Sequence, residues 1–210
     1  ITDEDIVQPS VTFTSGGITV TDQPNIVYNS ISASEWQAIY VVNAADTDGD
    51  VEIQIDVTDL TGNINATTYI GPIDNGNVVI DTSGPTITST IASNNNNTTL
   101  AKEADTITLT INTNETIIQP SVTFFSGGDA VTDQPNIIYN GSGSNWTASF
   151  DVNAADTEGA VSISVTAEDV GGNTSTSTII SGNGVTVDMT PPVFNPISIS
   201  TNNSNTSIGY

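Results

Sequence analysis

The sequence predicts an all-β chain built as tandem β-sandwich domains. Apolar residues recur at every second position over short runs, and turns rich in Gly, Asn and Asp separate those runs. Whole passages also return at a fixed distance. Gln8–Phe13 (QPSVTF) reappears at Gln119–Phe124, and Thr21–Asn29 (TDQPNIVYN) reappears as TDQPNIIYN at Thr132–Asn140, both displaced by 111 residues. Val42–Gly49 returns at Val152–Gly159 displaced by 110 residues, and Val78–Ile87 returns at Val185–Phe194 displaced by 107, the first copy carrying extra residues near Gly71–Asn77. A solenoid unit is roughly 20–50 residues long, so this period is that of a whole small domain.

The elements of the complete copy follow in order. Pro85–Ala92 is flat and polar, as an edge strand is. Ile107, Leu109 and Ile111 share one face of the next strand, and Val122 and Phe124 share a face of the one after. Trp146, Ala148, Phe150 and Val152 form a third apolar row, Val161, Ile163, Val165 and Ala167 a fourth, and Val185 with Val187 a last short one. About seven short strands in a domain of this length, each with one apolar face, is the pattern of two packed sheets. The first copy repeats the alternation at Trp36, Ala38, Tyr40 and Val42, and again at Val51, Ile53, Ile55 and Val57. No helical period competes with these runs.

The copies set the expected boundaries. Residues 1–83 read as a repeat lacking its first strands, 84–190 as a complete repeat, and 191–210 as the first strand of a following one. Ser89–Lys102 aligns with Ile197–Tyr210, while Ile1 stands at the position of Asn112. Only Glu103–Ile111 has no counterpart. The pattern predicts a window on a longer array.

Composition narrows the function. Twenty-four acidic residues stand against Lys102 alone, a formal charge of −23. Such a surface repels nucleic-acid phosphates and anionic lipid and attracts cations. With no Cys, neither a disulfide framework nor a thiolate metal site is available, and no apolar run reaches the ~20 residues of a membrane-spanning helix. Abundant Thr, Ser, Asn and Asp with almost no Lys predict an extracellular or cell-surface location. The absence of His, Cys and Arg leaves only paired carboxylates for catalysis, and these fall in turns of a repeated module, so no enzyme is expected.

Four ordered strings carry a family resemblance: SNNNNTTLAKEADTITLTINTNE, SNWTASFDVNAADTEG, VTAEDVGGNTST and VTVDMTPP. They resemble the bacterial immunoglobulin-like tandem repeats of large extracellular adhesins and other surface proteins. The resemblance spans the chain. It implies a tandem immunoglobulin-like β-sandwich fold in arrays that serve as stalks, spacers or adhesive shafts, often stiffened by calcium. The first copy departs from the pattern at Thr58–Asn63 (TDLTGN) and Ile80–Pro85 (IDTSGP).

Two acidic constellations are candidate Ca2+ sites. Asp46, Asp48 and Asp50 occupy alternate positions of a glycine turn, a spacing that can wrap a hard cation with oxygen ligands, although the second copy keeps only Asp156 and Glu158. The other constellation depends on topology. If strands alternate up and down, Asp81 leaves the bottom of repeat one where Glu115, Asp169 and Asn173 crown repeat two, and Asp188 meets the repeat that follows. Glu4, Asp59 and Asn63 would face a preceding repeat by the same logic. The plainer reading of every such Asp is turn chemistry, since Asp and Asn hydrogen-bond their own backbone in tight loops.

Other conspicuous residues have simple expectations. Trp36 and Trp146 lie on inward faces and are expected to pack in cores rather than to bind sugar. Nine N-x-S/T sequons, among them Asn65, Asn145, Asn173, Asn202 and Asn205, are candidate glycan acceptors in a chain whose composition alone generates many. Thr174–Thr178 reads as a solvated strand face. The chain's partners are expected to be neighbouring repeats of the same protein. Two functional readings follow: a structural stalk or spacer of a surface adhesin rigidified by calcium, or a subunit of an extracellular filament whose identical subunits interlock by strand complementation.

Overall fold

The computed structural model describes residues 1–70, 77–180 and 184–195. Residues 71–76, within the insertion expected near Gly71–Asn77, and most of the strand expected in 191–210 lie outside these residues, as do Asn202 and Asn205. Repeat one contains β1 (Ser10–Ser15), β2 (Ile18–Thr19), β3 (Val27–Ser32), β4 (Glu35–Ile39), β5 (Gly49–Thr58), β6 (Ile64–Ile70) and β7 (Val79–Ile80). Repeat two contains β8 (Ile87–Ser93), β9 (Leu100–Ala101), β10 (Thr106–Thr113), β11 (Ser121–Ser126), β12 (Asp129–Ala130), β13 (Ile138–Ser142), β14 (Asn145–Asp151), β15 (Gly159–Glu168), β16 (Thr174–Ile180) and β17 (Thr186–Val187).

Repeat two is an immunoglobulin-like sandwich. One sheet runs β13-β14-β10-β8, and the other runs β12-β11-β15-β17-β9 with β16 also on β15. Strands β16 and β17 pair successive stretches of β15, so together they form one interrupted strand. The first strand is likewise divided: β8 edges one sheet, as its polar sequence predicts, while β9 crosses to pair in parallel with β17. Four strands facing an extended three-strand sheet is the constant-type immunoglobulin plan. The alternation read from sequence becomes the core, with Ile107, Leu109 and Ile111 of β10 buried against Phe124, Ile163 and Val165. The Phe124 and Phe150 rings meet at 4.8 Å between centroids, within the range of favourable tilted packing.

Repeat one reproduces half of that plan. Its sheet runs β2-β1-β5-β6, with β7 on β5, and the register Val11↔Ile55 and Phe13↔Ile53 matches Val122↔Val165 and Phe124↔Ile163 in repeat two. Facing it, among the described residues, are β3 and β4. The repeated TDQPN string is a backbone clamp. A single 3-10 turn at Gln23–Asn25 presents the Gln23 side chain to the outer edge of β1, where it accepts from Phe13 N (2.9 Å) and donates to Val11 O (2.6 Å). Gln134 treats Phe124 and Val122 in the same way. Tyr28 and Tyr139 complete the clamp by accepting from Val11 N and Val122 N. Among the described residues, no helix is long and apolar enough to cross a membrane.

Candidate metal centre at the junction between repeats

The joint is built from the linker that follows β7. Asp48, in the turn ahead of β5, accepts from Thr82 N and Thr82 Oγ1 at 2.8 Å and from Ser83 Oγ at 2.7 Å. These bonds hold its carboxyl below the ordinary range, the Ser83 and Thr82 hydroxyls contributing most. The linker then passes so close to β16 that a side chain at Gly84 would meet Thr174 O and Ser175 Oγ at 2.7 Å. Pro85 beyond it is fully buried, and Thr86 N donates to Asn114 Oδ1 at 2.6 Å. Asn173 ties the two repeats directly, its Nδ2 donating to Asp81 O at 3.1 Å and to Asp169 Oδ2 at 2.9 Å.

This path carries Asp81 to the crown of repeat two. One carboxylate oxygen from each of Asp81, Glu115 and Asp169 lies within 4.8 Å of the others. Two oxygens bound to one calcium at ~2.4 Å stand at most about 4.8 Å apart, so the group matches the reach of that ion. Asp81 is exposed, Glu115 half-buried and Asp169 buried. Burial is the first cause that pushes the Glu115 carboxyl up, and the Asp81, Asp169 and Asp48 carboxylates push it further. Burial also acts to raise Asp169, but the side chain and N–H of Asn173, with the Gly171 and Gly172 N–H groups, outweigh it and hold that carboxyl below its usual range. The joint therefore gathers negative charge from three chain segments, part of it strained toward neutrality.

The other sequence candidates are distributed differently. Asp46, Asp48 and Asp50 do not converge, because each carboxylate is turned to separate donors. Asp46 is buried and accepts from Thr21 N, Thr21 Oγ1, Tyr40 OH and Asn43 N, which overcome burial and hold it well below the carboxylate range. Asp50 accepts from Asn77 Nδ2 at 2.8 Å. The turn is thus a brace, with Asp46 anchoring the loop before β5 and Asp48 clasping the linker. Asn173 serves as a hydrogen-bond donor across the joint. At the far end, Asp188 Oδ1 accepts from Thr190 N at 3.1 Å, as Asp81 Oδ1 does from Ser83 N. Glu158 accepts from Met189 N and Thr190 Oγ1, repeating the role of Asp48. Asp59 is held by Thr61 and Asn63, whose side-chain amide is the leading cause that lowers it to about 2. The linker clasp by Thr82 and Ser83 was not anticipated; the pairing of DTDG with DTS, echoed by DTEG with DMT, is the signal that carries it.

The tryptophans differ. Trp146 packs half-buried on its core and donates from Nε1 to Gly143 O at 3.1 Å. Trp36 also points inward, but into an open cleft. Thr174, Thr176 and Thr178 are exposed along β16, as expected.

No family model matches the chain, and no curated protein matches it. Among solved structures, it is similar to the titin domains Z1Z2 in complex with telethonin, at 12% identity over 89% of this chain and 83% of that one, with a TM-score of 0.32. A chimeric titin Z1Z2-Z1Z2 tandem functionalized with a GRGDS peptide from fibronectin aligns at 16% identity over 88% of this chain and 85% of that one, also with a TM-score of 0.32. These superpositions are loose, and the sandwich assignment rests on the strand pairing itself.

Proposed function

We propose that the chain is a structural segment of an extracellular array, a stalk or spacer of a cell-surface adhesive protein, whose repeats are locked at one angle by calcium. The convergence of Asp81, Glu115 and Asp169 from the linker and two loops of the next repeat is the observation that supports this most. Carboxylates held together in this way repel one another, and a divalent ion converts that repulsion into a tie between two rigid bodies. The two repeats, with their matching Asp81 and Asp188 linkers, support an array rather than a single assembled cleft.

Calorimetry and small-angle scattering in chelator and in calcium test the reading. A cation that binds only the folded joint adds about 2.7 kcal/mol at a hundredfold excess over its dissociation constant. Calcium is expected to raise the melting temperature and narrow the distribution of inter-repeat distances, and Asp169→Asn is expected to abolish both responses. A melting temperature and scattering curve indifferent to calcium would overturn the cation.

A further inference from the structure

The hairpin between β13 and β14 carries an Asn-Gly pair whose glycine the fold requires. Gly141 has a φ of +137°, and a side chain there would press on Asn145 O and on the Trp146 Cα. Strand β13 ends its sheet, and Asn140 and Gly141 are both exposed. The Asn140 carbonyl faces β14, where it accepts from Thr147 Oγ1 at 3.3 Å. In a trans peptide the N–H points opposite to the carbonyl, so the Gly141 N–H faces away from β14, toward the open side of the strand. The Asn140 side-chain amide makes no hydrogen bond among the described residues. Other asparagines are engaged. Asn29, at the same place in β3, donates to Gln37 Oε1 at 3.3 Å and is followed by Ser30. Asn114 is held by Thr86 N, and Asn173 by Asp81 O and Asp169.

We propose that Asn140–Gly141 is a site of spontaneous covalent modification, deamidation through a succinimide. The Gly141 nitrogen attacks Asn140 Cγ and forms the N–Cγ bond. The Cγ–Nδ2 bond breaks, and ammonia leaves with the proton that the Gly141 nitrogen gives up. Water then opens the ring, at Cγ to give aspartate or at the Asn140 main-chain carbonyl to give isoaspartate. Glycine has no side chain to screen its nitrogen, and local opening of an end strand lets the peptide rotate within reach of Cγ. The isoaspartate form adds one carbon to the main chain of β13, so the Gly141↔Trp146 and Ser142↔Asn145 pairs beyond it lose their register. Those pairs close the turn that buttresses the crown of repeat two. Gly143 O accepts from Ile117 N and from Trp146 Nε1, both at 3.1 Å, and Ser144 O accepts from Thr113 N at 2.9 Å. Thr113 and Ile117 flank Glu115, so the modification loosens the loop that presents this carboxylate. The reaction requires no metal, so it stands or fails separately from the calcium reading.

The test is incubation of the full chain in mildly alkaline buffer, sampled over time, with peptide mapping that distinguishes Asn, Asp and isoaspartate at each position. Mapping separates Asn140 from the other Asn-Gly pairs of the sequence, Asn75–Gly76 and Asn183–Gly184. Asn140 is expected to convert at least tenfold faster than Asn29, with isoaspartate in excess over aspartate. Hydrogen exchange on the aged chain should be faster at the Thr113 and Ile117 N–H groups. The Asn140→Gln variant, which cannot close the five-membered ring, should age without that change. An intact Asn140 at a time when a free peptide of the sequence Ile138–Asn145 has converted would overturn the proposal, as would an Asn29 that keeps pace. Unchanged exchange at Thr113 and Ile117 in the isoaspartate-bearing chain would overturn the loosening of the crown.

Discussion

Repeat one and repeat two share their strand register and much of their sequence, yet they bury different amounts of it. Val161, Ile163 and Val165 are at most 1% exposed, while their counterparts Val51, Ile53 and Ile55 are only half-buried. Val152 is buried and Val42 is 52% exposed. The β1–β5 and β11–β15 pairs are otherwise the same object. The difference lies in the facing sheet, which in repeat two includes β10 and β8. A strand's alternation states which face is apolar, and the opposing layer decides how much of that face leaves water.

Several measurements would break or sharpen the comparison, and truncation of the core has the largest expected effect. Ile163→Ala in repeat two should cost about 2–5 kcal/mol, as full burial of a large aliphatic side chain implies. Ile53→Ala should cost less than half as much. Urea unfolding followed through Trp146 or Trp36, each as the sole tryptophan, reads the repeats separately, and equal losses would contradict the difference in packing.

The joint comes next. Because Glu115 is raised in the folded chain, the folded state holds that proton more tightly than the unfolded one. Stability without calcium should therefore fall as pH rises from the ordinary glutamate range through the raised value. Glu115→Gln should flatten that fall, raise the melting temperature in chelator near neutral pH, and remove the gain from calcium. A variant that lost stability in chelator would mean that the glutamate is not under repulsion.

A smaller effect is expected from Gly84→Ala, whose added carbon would press on the backbone of Thr174. The wedge should widen the inter-repeat distance distribution seen by scattering while leaving the unfolding midpoint of each repeat nearly unchanged. The smallest effect concerns a single atom. Tyr40 in repeat one stands where repeat two has Phe150, and its hydroxyl donates to Asp46. Burial first, and then this bond, pushes the Tyr40 phenol up. Asp46 is depressed, so its contribution to stability is complete above the ordinary aspartate range and lost as pH falls toward its lowered value. Tyr40→Phe should bring the Asp46 titration, followed by carboxyl NMR shifts, up toward the usual range and begin the acid loss at higher pH.

The period, the strand faces and the polar first edge were all legible in the sequence, because a side chain's face in a strand depends only on parity and on its neighbours in the chain. The gathering of Asp81, Glu115 and Asp169 followed from strand direction, which fixes the end of a sandwich at which each loop emerges. Alternate spacing placed three carboxylates in the Asp46–Asp50 turn but did not show their partners, because a carboxylate's partners are whatever donors the fold brings to it. Thr21 and Tyr40 reach Asp46, and Thr82 and Ser83 reach Asp48, from elements remote in sequence. The division of the first and last strands and the Gln23 and Gln134 clamps were likewise decided only in three dimensions. Local pattern sets what each segment can bury or bond; which surface it meets is a property of the whole sandwich, where non-local pairing and close packing choose among the partners that local chemistry allows.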